Sequence, residues 1–145
     1  MVNVVVLYES MTGNTRRAAE LVGGAAKLAG CEVSVRSVRA IDLHELAQAD
    51  LVFVGTWVDG LVLFGHRPGG GRALRAIPVL DRKQVAIFMT YAIHAGGALA
   101  KFGRLMRGLG GELVAARLFK RSQLASGADA EVAEFVADAL AAVPA

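Results

Sequence analysis

Short apolar runs alternate with amphipathic stretches along this chain, and that alternation limits the folds open to it. The runs are rich in β-branched and aromatic residues, as strands inside a sheet are. There are five of them, at residues 2–8, 31–38, 51–55, 85–89 and 112–119. Strands that alternate with helices form a parallel sheet covered by helices on both faces. The sequence therefore predicts an α/β fold, a three-layer doubly wound sheet of five parallel strands, in a single domain over residues 1–145.

The segments between these runs have helical spacing. Apolar residues recur every three or four positions within residues 15–29, within 99–109 and after Ser126. Ser126 is the expected cap of the last helix because Asp129 follows three residues later, as in a capping box. Shorter helical turns are expected at two further places, residues 42–47 and 71–80. The second apolar run alternates with polar residues, which predicts a more exposed strand at an edge of the sheet.

Composition excludes several classes of protein. Hydrophobic residues make up 54% of the 145 residues and charged residues 20%, which predicts a sizeable core and excludes a disordered chain. No apolar run approaches the roughly 20 residues that a membrane-spanning helix needs, and the first residues lack the pattern of a secretion signal. The lone Cys31 cannot form an internal disulfide. We therefore expect a cytoplasmic protein with no membrane span.

The charged and metal-ligating residues are scattered. The net charge is +3, and the arginines that dominate it are spread along the chain. A nucleic-acid site would need basic residues gathered on one face, so we interpret them as a solvated basic surface and expect no nucleic-acid partner. Three histidines and one cysteine show no metal-ligand spacing, and we expect no metal site.

The loop after the first apolar run has the composition of an anion site. It reads Glu9-Ser10-Met11-Thr12-Gly13-Asn14-Thr15 and lies between a predicted strand and a predicted helix. Helix N-termini offer unpaired N–H groups and a partial positive charge, and three hydroxyls here add further donors. The absence of lysine excludes a nucleoside-triphosphate loop, and the single glycine excludes a dinucleotide fingerprint. The remaining alternative is a simple capped turn between strand and helix.

The stretch Ser10-Met11-Thr12-Gly13-Asn14-Thr15, directly after a buried first strand, resembles the phosphate signature of the flavodoxin family. The order of elements and the length are similar over nearly the whole chain. The resemblance implies the flavodoxin-like strand order 2-1-3-4-5 and non-covalently bound FMN as the cofactor. It also implies that the FMN phosphate lies on Ser10, Thr12, Asn14, Thr15 and the neighbouring backbone N–H groups of this loop, Met11 and Gly13 included.

A second loop begins at Gly55, the end of the third run, and opens a longer predicted loop over 56–70; its residues 55–60 resemble the flavodoxin loop that carries an aromatic residue beside the flavin. It contributes Thr56, Trp57, Val58, Asp59 and Gly60. Trp57 is the only tryptophan and can stack on the flavin ring; the alternative is a tryptophan packed into the core. Many flavodoxins have glycine where this chain has Val58, and a β-branched residue resists a positive φ. We therefore expect weak stabilisation of the one-electron-reduced flavin, which favours two-electron chemistry.

The third loop, residues 90–97, follows the fourth run and is implied by the resemblance to flank the other face of the ring. Tyr91 is a candidate for stacking, and Gly96 and Gly97 permit a close approach of the backbone. His94 is a candidate donor to the flavin or to a substrate, because its pKa range lies near neutrality. The alternative is an exposed loop histidine without a role. His44 and His66 are expected in an unrelated turn and a distant loop.

The segment 61–72 leaves alternatives open. Its four apolar residues, 61–64, suit a cover for the flavin, an apolar substrate pocket, a partner interface or simple local packing. Arg67 and Arg72 could attract an acidic partner or substrate, whereas the flavodoxin electron carriers that the chain resembles are typically acidic.

The predicted function is that of an FMN-binding flavoprotein in electron transport. Its partner would be a redox protein or a small-molecule acceptor such as a quinone, and the oligomeric state is open. The alternatives are a small FMN-dependent quinone or protoporphyrinogen oxidoreductase and, in another class, a flavin-free binding module on the same fold. A response-regulator-like module is disfavoured because the first strand is followed by a single acidic residue, Glu9.

Overall fold

A computed structural model of the chain describes residues 1–59 and 66–144. Its strands are β1 (Asn3–Tyr8), β2 (Glu32–Ser37), β3 (Leu51–Asp59), β4 (Arg67–Pro68), β5 (Gln84–Tyr91) and β6 (Glu112–Lys120). Its helices are α1 (Asn14–Leu28), α2 (Leu43–Gln48), α3 (Gly71–Arg75), α4 (Ala98–Gly108), α5 (Arg121–Ser126) and α6 (Asp129–Ala141). Within the described ranges, no helix is long and apolar enough to cross a membrane.

The five long strands form a parallel sheet in the order β2-β1-β3-β5-β6. This confirms the predicted α/β fold and its strand order, 2-1-3-4-5 when the long strands alone are counted. Strand β2 lies at one edge, as its alternating pattern predicts. The chain runs from β1 outward to β2 and then returns to the other side of β1 as β3. The carboxyl ends of β1 and β3 therefore flank the point where strand order reverses, which is where such sheets bind ligands.

Two hydrophobic cores cover the two faces of the sheet. On the face of α1 and α6, the ring of Phe135 meets Phe53 and Phe88 edge to face, with centroids 5.4 and 6.2 Å apart. On the other face, Phe102 and Met106 of α4 are fully buried against the sheet. Because the sheet is covered on both sides, its carboxyl edge is the place where loops stay open to a ligand.

The structure differs from the sequence prediction at the end of β3. Residues 56–59, predicted as loop, continue the strand. Trp57 pairs with Thr90 of β5, and then Val58 and Asp59 pair with the short antiparallel strand β4. A local pattern could not show this, because the pairing partner of these residues comes eight or more positions later.

The predicted cap of the last helix is wrong. Ser126 ends α5, a helix that the sequence analysis did not predict, and its hydroxyl donates to the carbonyls of Ser122 and Gln123. Helix α6 begins three residues later, at Asp129, and its N-cap Ala128 has no side-chain cap. Ser126 satisfies its hydroxyl on the preceding turn, as serine does near helix ends.

Candidate functional site

The loop between β1 and α1 closes on itself around a serine hydroxyl. The Oγ of Ser10 accepts from the backbone N–H of Gly13 at 3.1 Å and from that of Arg16 at 3.4 Å. The side-chain amide of Asn14 donates to the Oγ1 of Thr12 at 3.0 Å. Gly13 has φ +92°, which glycine adopts without strain, and nothing lies within 4 Å of the point where a Cβ would project. The loop is thus ordered and open on the side of Gly13.

The start of α1 offers free donors to that opening. Within the described residues, the backbone N–H groups of Asn14 and Thr15 have no hydrogen-bond acceptor. The first turn of α1 carries no acidic residue, and Arg16 and Arg17 follow at once. The unpaired N–H groups and the positive end of the helix dipole favour an anion, whereas the Arg16 guanidinium is engaged by Glu20 at 3.1 Å. The donor set therefore fits the phosphate of a bound nucleotide.

Thr15 has a different setting from its neighbours in the loop. Its side chain is buried, and its hydroxyl forms a 3.0 Å hydrogen bond with that of Thr90, at the end of β5. This bond ties the loop Ser10–Thr15 to the strand that leads into the third predicted loop. The two threonines are 75 residues apart in the sequence, and no local signal paired them.

Trp57 lies at the end of β3 with its indole against Gly69. A Cβ on Gly69 would come within 2.0 Å of the ring. Two hydrogen bonds hold the arrangement: the Gly69 N–H donates to the Trp57 carbonyl at 2.7 Å, and the Thr56 hydroxyl donates to the Gly69 carbonyl at 2.6 Å. The indole Nε1 is buried without an acceptor in the described part of the chain. A buried donor without a partner carries a free-energy cost.

Glu9 is a buried carboxylate that the sequence analysis left without a role. It is 4% exposed, directly precedes Ser10, and its N–H donates to the Gly55 carbonyl at 2.9 Å. The guanidinium of Arg39 donates to both carboxylate oxygens, at 3.2 and 2.7 Å. Hydrogen bonding to Glu9 raises the pKa of Arg39. Gly70 packs on the same side chain, so close that a Cβ would lie 2.4 Å from the Glu9 Cγ.

The third loop begins later than predicted, because Thr90 and Tyr91 belong to β5. Tyr91 is half-buried, His94 is exposed, and Gly97 directly precedes α4. Gly96 has φ +54° and faces the ring of His66, 2.4 Å from its Nδ1 to the position of an added Cβ. The expectation that His66 lies in a distant loop is therefore wrong.

Apart from Gly60, the predicted site residues lie at the carboxyl edge of the sheet, at or after the ends of β1, β3 and β5. Asp59 lies 3.6 Å from Arg67 in an ion pair, and Val58 is half-buried opposite Pro68. Gly60 and the apolar residues 61–64 lie outside the described residues. The roles assigned to the individual side chains remain predictions. In the part of the chain that is described, no cluster of histidine, cysteine or acidic residues could hold a metal ion.

Comparison with known proteins relates this chain to flavodoxins. The model of a family described as "Flavodoxin domain" matches residues 5–102. The two-electron reduced flavodoxin of Megasphaera elsdenii is 20% identical, with a TM-score of 0.76, over 96% of this chain and 99% of that one. Flavodoxin 2 of Bacillus cereus is 21% identical, with a TM-score of 0.73, over 97% of this chain and 99% of that one. At such identities the solved structures show the fold. We find no curated protein that matches this chain.

Proposed function

Since this chain belongs to the flavodoxin domain family, whose members bind FMN and transfer electrons, we propose that it holds FMN at the carboxyl ends of β1, β3 and β5. The phosphate would lie on the loop Ser10–Thr15 and the flavin ring between Trp57 and Tyr91. The observation that supports this most strongly is the start of α1. There, unpaired N–H groups and an open glycine meet at the point where strand order reverses.

Each part of the loop has a distinct task in this proposal. The N–H groups of Asn14 and Thr15 donate to the phosphate, and the Oγ of Ser10 holds the turn in place by accepting from Gly13 and Arg16. The hydroxyl of Thr12 has a hydrogen to donate, because it accepts from Asn14. Thr15 contributes its backbone, while its side chain braces the loop against Thr90. The bidentate ion pair between Glu9 and Arg39 holds the residue that precedes the loop in place.

The redox chemistry belongs to the cofactor: FMN accepts and releases electrons singly or in pairs. The chain positions the ring and excludes water. Contacts with Gly69 and Thr56 fix the indole of Trp57 at the end of β3, where its ring would lie beside the flavin. In this proposal Tyr91, Gly96 and Gly97 line the other face of the flavin ring.

We further propose that this chain favours two-electron transfer. Val58 stands where many flavodoxins have glycine, and its pairing with Pro68 holds it in an extended strand. A β-branched residue in such a pair resists the backbone rotation that would offer a new donor to the reduced ring. Redox titration should show the two one-electron potentials close together, and Val58→Gly should move them apart. Well-separated potentials in the unmodified chain would contradict this.

FMN binding itself is tested by titrating the apoprotein with FMN and with riboflavin, which lacks the phosphate. Quenching of flavin fluorescence measures both affinities. FMN should bind at least tenfold more tightly, because only FMN reaches the start of α1. Thr12→Ala should reduce that ratio, whereas Ser122→Ala, an exposed serine on α5, should leave it unchanged. Equal affinities for the two ligands would contradict the phosphate assignment.

Two broader points stay within the proposal. We propose that residues 1–145 act as one domain, since both faces of a single sheet are covered by helices of the same chain. We also propose a cytoplasmic location, where the free thiol of Cys31 would stay reduced. The partner is a redox protein or a small acceptor that reaches the flavin edge.

A further inference from the structure

A concavity of about 350 Å³ lies beside the proposed flavin site, between β4, α3 and the first turns of α4. Four cationic side chains line it, and we call it the basic concavity. They are Arg67, Arg72, Arg75 and Lys101. Asp59, at the end of β3, is the carboxylate that lines it among the described residues, so positive charge is in excess. The concavity shares Asp59 with the proposed ring site and is therefore adjacent to it.

The cations are directed into this space by the backbone around them. Arg67 lies in an ion pair with Asp59, at 3.6 Å. The guanidinium of Arg75 folds back over the start of α3, where its Nη1 lies 3.1 Å from the position of a Cβ on Gly71. The ammonium of Lys101 is held by the carbonyl of His66 at 2.7 Å. Within the described residues, Arg72 and Arg75 form no ion pair with a carboxylate.

Like charges that line one concavity repel each other and do not help folding. The neighbouring helix starts do not reduce the excess. The first turns of α1 and α4 carry no acidic residue, whereas α6 has Asp129 and Glu131 in its first turn. At the opposite end of the sheet, bases and acids are mixed, with Lys27, Arg82 and Lys83 near Glu32, Asp50, Asp81 and Glu112. The excess of positive charge is thus a feature of the basic concavity.

We propose that the basic concavity is the docking surface for an acidic redox protein that exchanges electrons with the bound flavin. This rests on the proposed function, because a partner docked here would lie next to Trp57 and the flavin ring. In each encounter one electron leaves the reduced partner and enters the flavin, so two successive encounters complete the two-electron reduction, and no covalent bond forms or breaks between the proteins. Small, polar and weak contacts of this kind are typical of electron-transfer pairs.

A protein partner suits this surface better than a small anion does. The four cations are exposed, the side chain of Arg67 by 57%, and they are spread along two helices and a strand. A pocket for a small ligand would enclose its ligand and bury its polar groups. Carboxylates distributed over a protein surface match exposed and separated cations, and their long-range attraction accelerates association.

The test uses the FMN-loaded protein and a reduced, acidic [2Fe–2S] ferredoxin of the plant type as the probe. Stopped-flow absorption measures the second-order rate of flavin reduction between 10 and 300 mM NaCl. The rate should fall steeply with salt, and Arg72→Glu with Arg75→Glu should lower it about tenfold or more at 10 mM. The matched control, Lys27→Glu with Arg82→Glu, changes the net charge equally at the opposite end and should lower the rate less than threefold.

Further measurements separate the possible failures. Thermal melting and FMN titration of each variant verify folding and cofactor binding, and Arg72→Gln with Arg75→Gln gives a milder variant that should show an intermediate rate. If the unmodified chain fails to bind FMN, the proposed function fails, and docking is then read from calorimetric titration of the apoprotein with oxidised ferredoxin.

The docking proposal has its own contrary outcomes. Equal losses in the two charge-reversed pairs would show a net-charge effect without a docking surface and would overturn it. So would a faster reaction with a basic probe, cytochrome c, at low salt. If 1 mM pyrophosphate at constant ionic strength abolishes ferredoxin binding, the concavity is a small-anion site, and the protein-docking proposal is wrong.

Discussion

Gly69 has no side chain, and the indole of Trp57 occupies the space that a methyl group would need. The position of the one tryptophan therefore depends on a residue twelve positions later. Glu9 shows the same dependence, because Arg39 and Gly70 enclose its carboxylate from two other segments. At the scale of single residues, the candidate site is built by contacts between segments that lie far apart in the sequence.

We expect Gly69→Ala to displace the indole, because the added Cβ would lie 2.0 Å from the ring. The free energy of unfolding should fall by about 1–3 kcal/mol, as overpacking usually costs, and tryptophan fluorescence and FMN affinity should both change. The control is Gly24→Ala in the exposed middle of α1, where nothing lies within 4 Å of the new Cβ. That change should stabilise the protein by up to about 1 kcal/mol. If the two variants behave alike, the Trp57 contact does not order the site.

Glu9→Gln tests the ion pair beneath the phosphate loop. The amide has nearly the same shape but loses the charge that accepts twice from Arg39. Urea unfolding should show a loss of about 1–3 kcal/mol, the cost of a buried polar group whose charged partner is weakened. FMN affinity should fall with it. Glu20→Gln removes a carboxylate from the exposed pair with Arg16 and should cost about 0.5 kcal/mol at most. If Glu9→Gln and Glu20→Gln lower the free energy of unfolding equally, the burial of Glu9 does not strengthen its ion pair.

At the scale of elements, the apolar runs located all five long strands, and helical spacing located α1, α4 and α6. Buried β-branched residues determine where a strand lies, and that information is local. The extent of β3 is not local, since Val58 and Asp59 are strand residues only because Pro68 and Arg67 return to pair with them. The bond between Thr15 and Thr90 depends on the order of the strands. The loop Ser10–Thr15 can be predicted as a phosphate site because its donors are contiguous in the sequence. The residues that hold this loop in place, such as Thr90 and Arg39, come from distant segments and carry no local signal.

The junction of β2 and α2 should make stability depend on pH. Hydrogen bonds from Arg36 and Ser34 to Glu45 lower the pKa of that carboxyl in the folded protein. A lowered folded pKa contributes stability above the unfolded value, which is about 4.3 for glutamate. That contribution is lost as the pH falls from there through the folded value.

Urea midpoints measured between pH 6 and pH 2 should reveal this loss. Glu45→Gln should flatten the decline on the acid side, because the residue that takes up the extra proton is gone. Glu131→Gln, an exposed position on α6, is the control and should keep the decline of the unmodified protein. A decline in Glu45→Gln as steep as in the unmodified chain would show that Glu45 does not contribute.

At the scale of the whole molecule, cofactor binding and folding are linked. The proposed site draws on β1, β3 and β5 and on the start of α1, so we expect that the unfolded chain does not bind FMN in the same way. At an FMN concentration of 100 times Kd, binding adds about 2.7 kcal/mol to the free energy of unfolding. The melting temperature should rise by roughly 5–10 °C for a chain of this size. Riboflavin at the same concentration should raise it less, and an equal rise would indicate that the phosphate loop is not engaged.

The basic concavity has an excess of positive charge at the carboxyl edge, whereas the charges near the amino ends of the strands are mixed, and we therefore expect a molecular dipole with its positive end at the concavity. The electric field of a charged surface orients such a dipole before the protein reaches that surface. On a carboxylate-coated electrode the protein should therefore adsorb with Trp57 and the flavin toward the conductor, and voltammetry should proceed without a mediator. On an amine-coated electrode the protein should adsorb in the opposite orientation, with the flavin away from the conductor, and direct voltammetry should show no flavin signal.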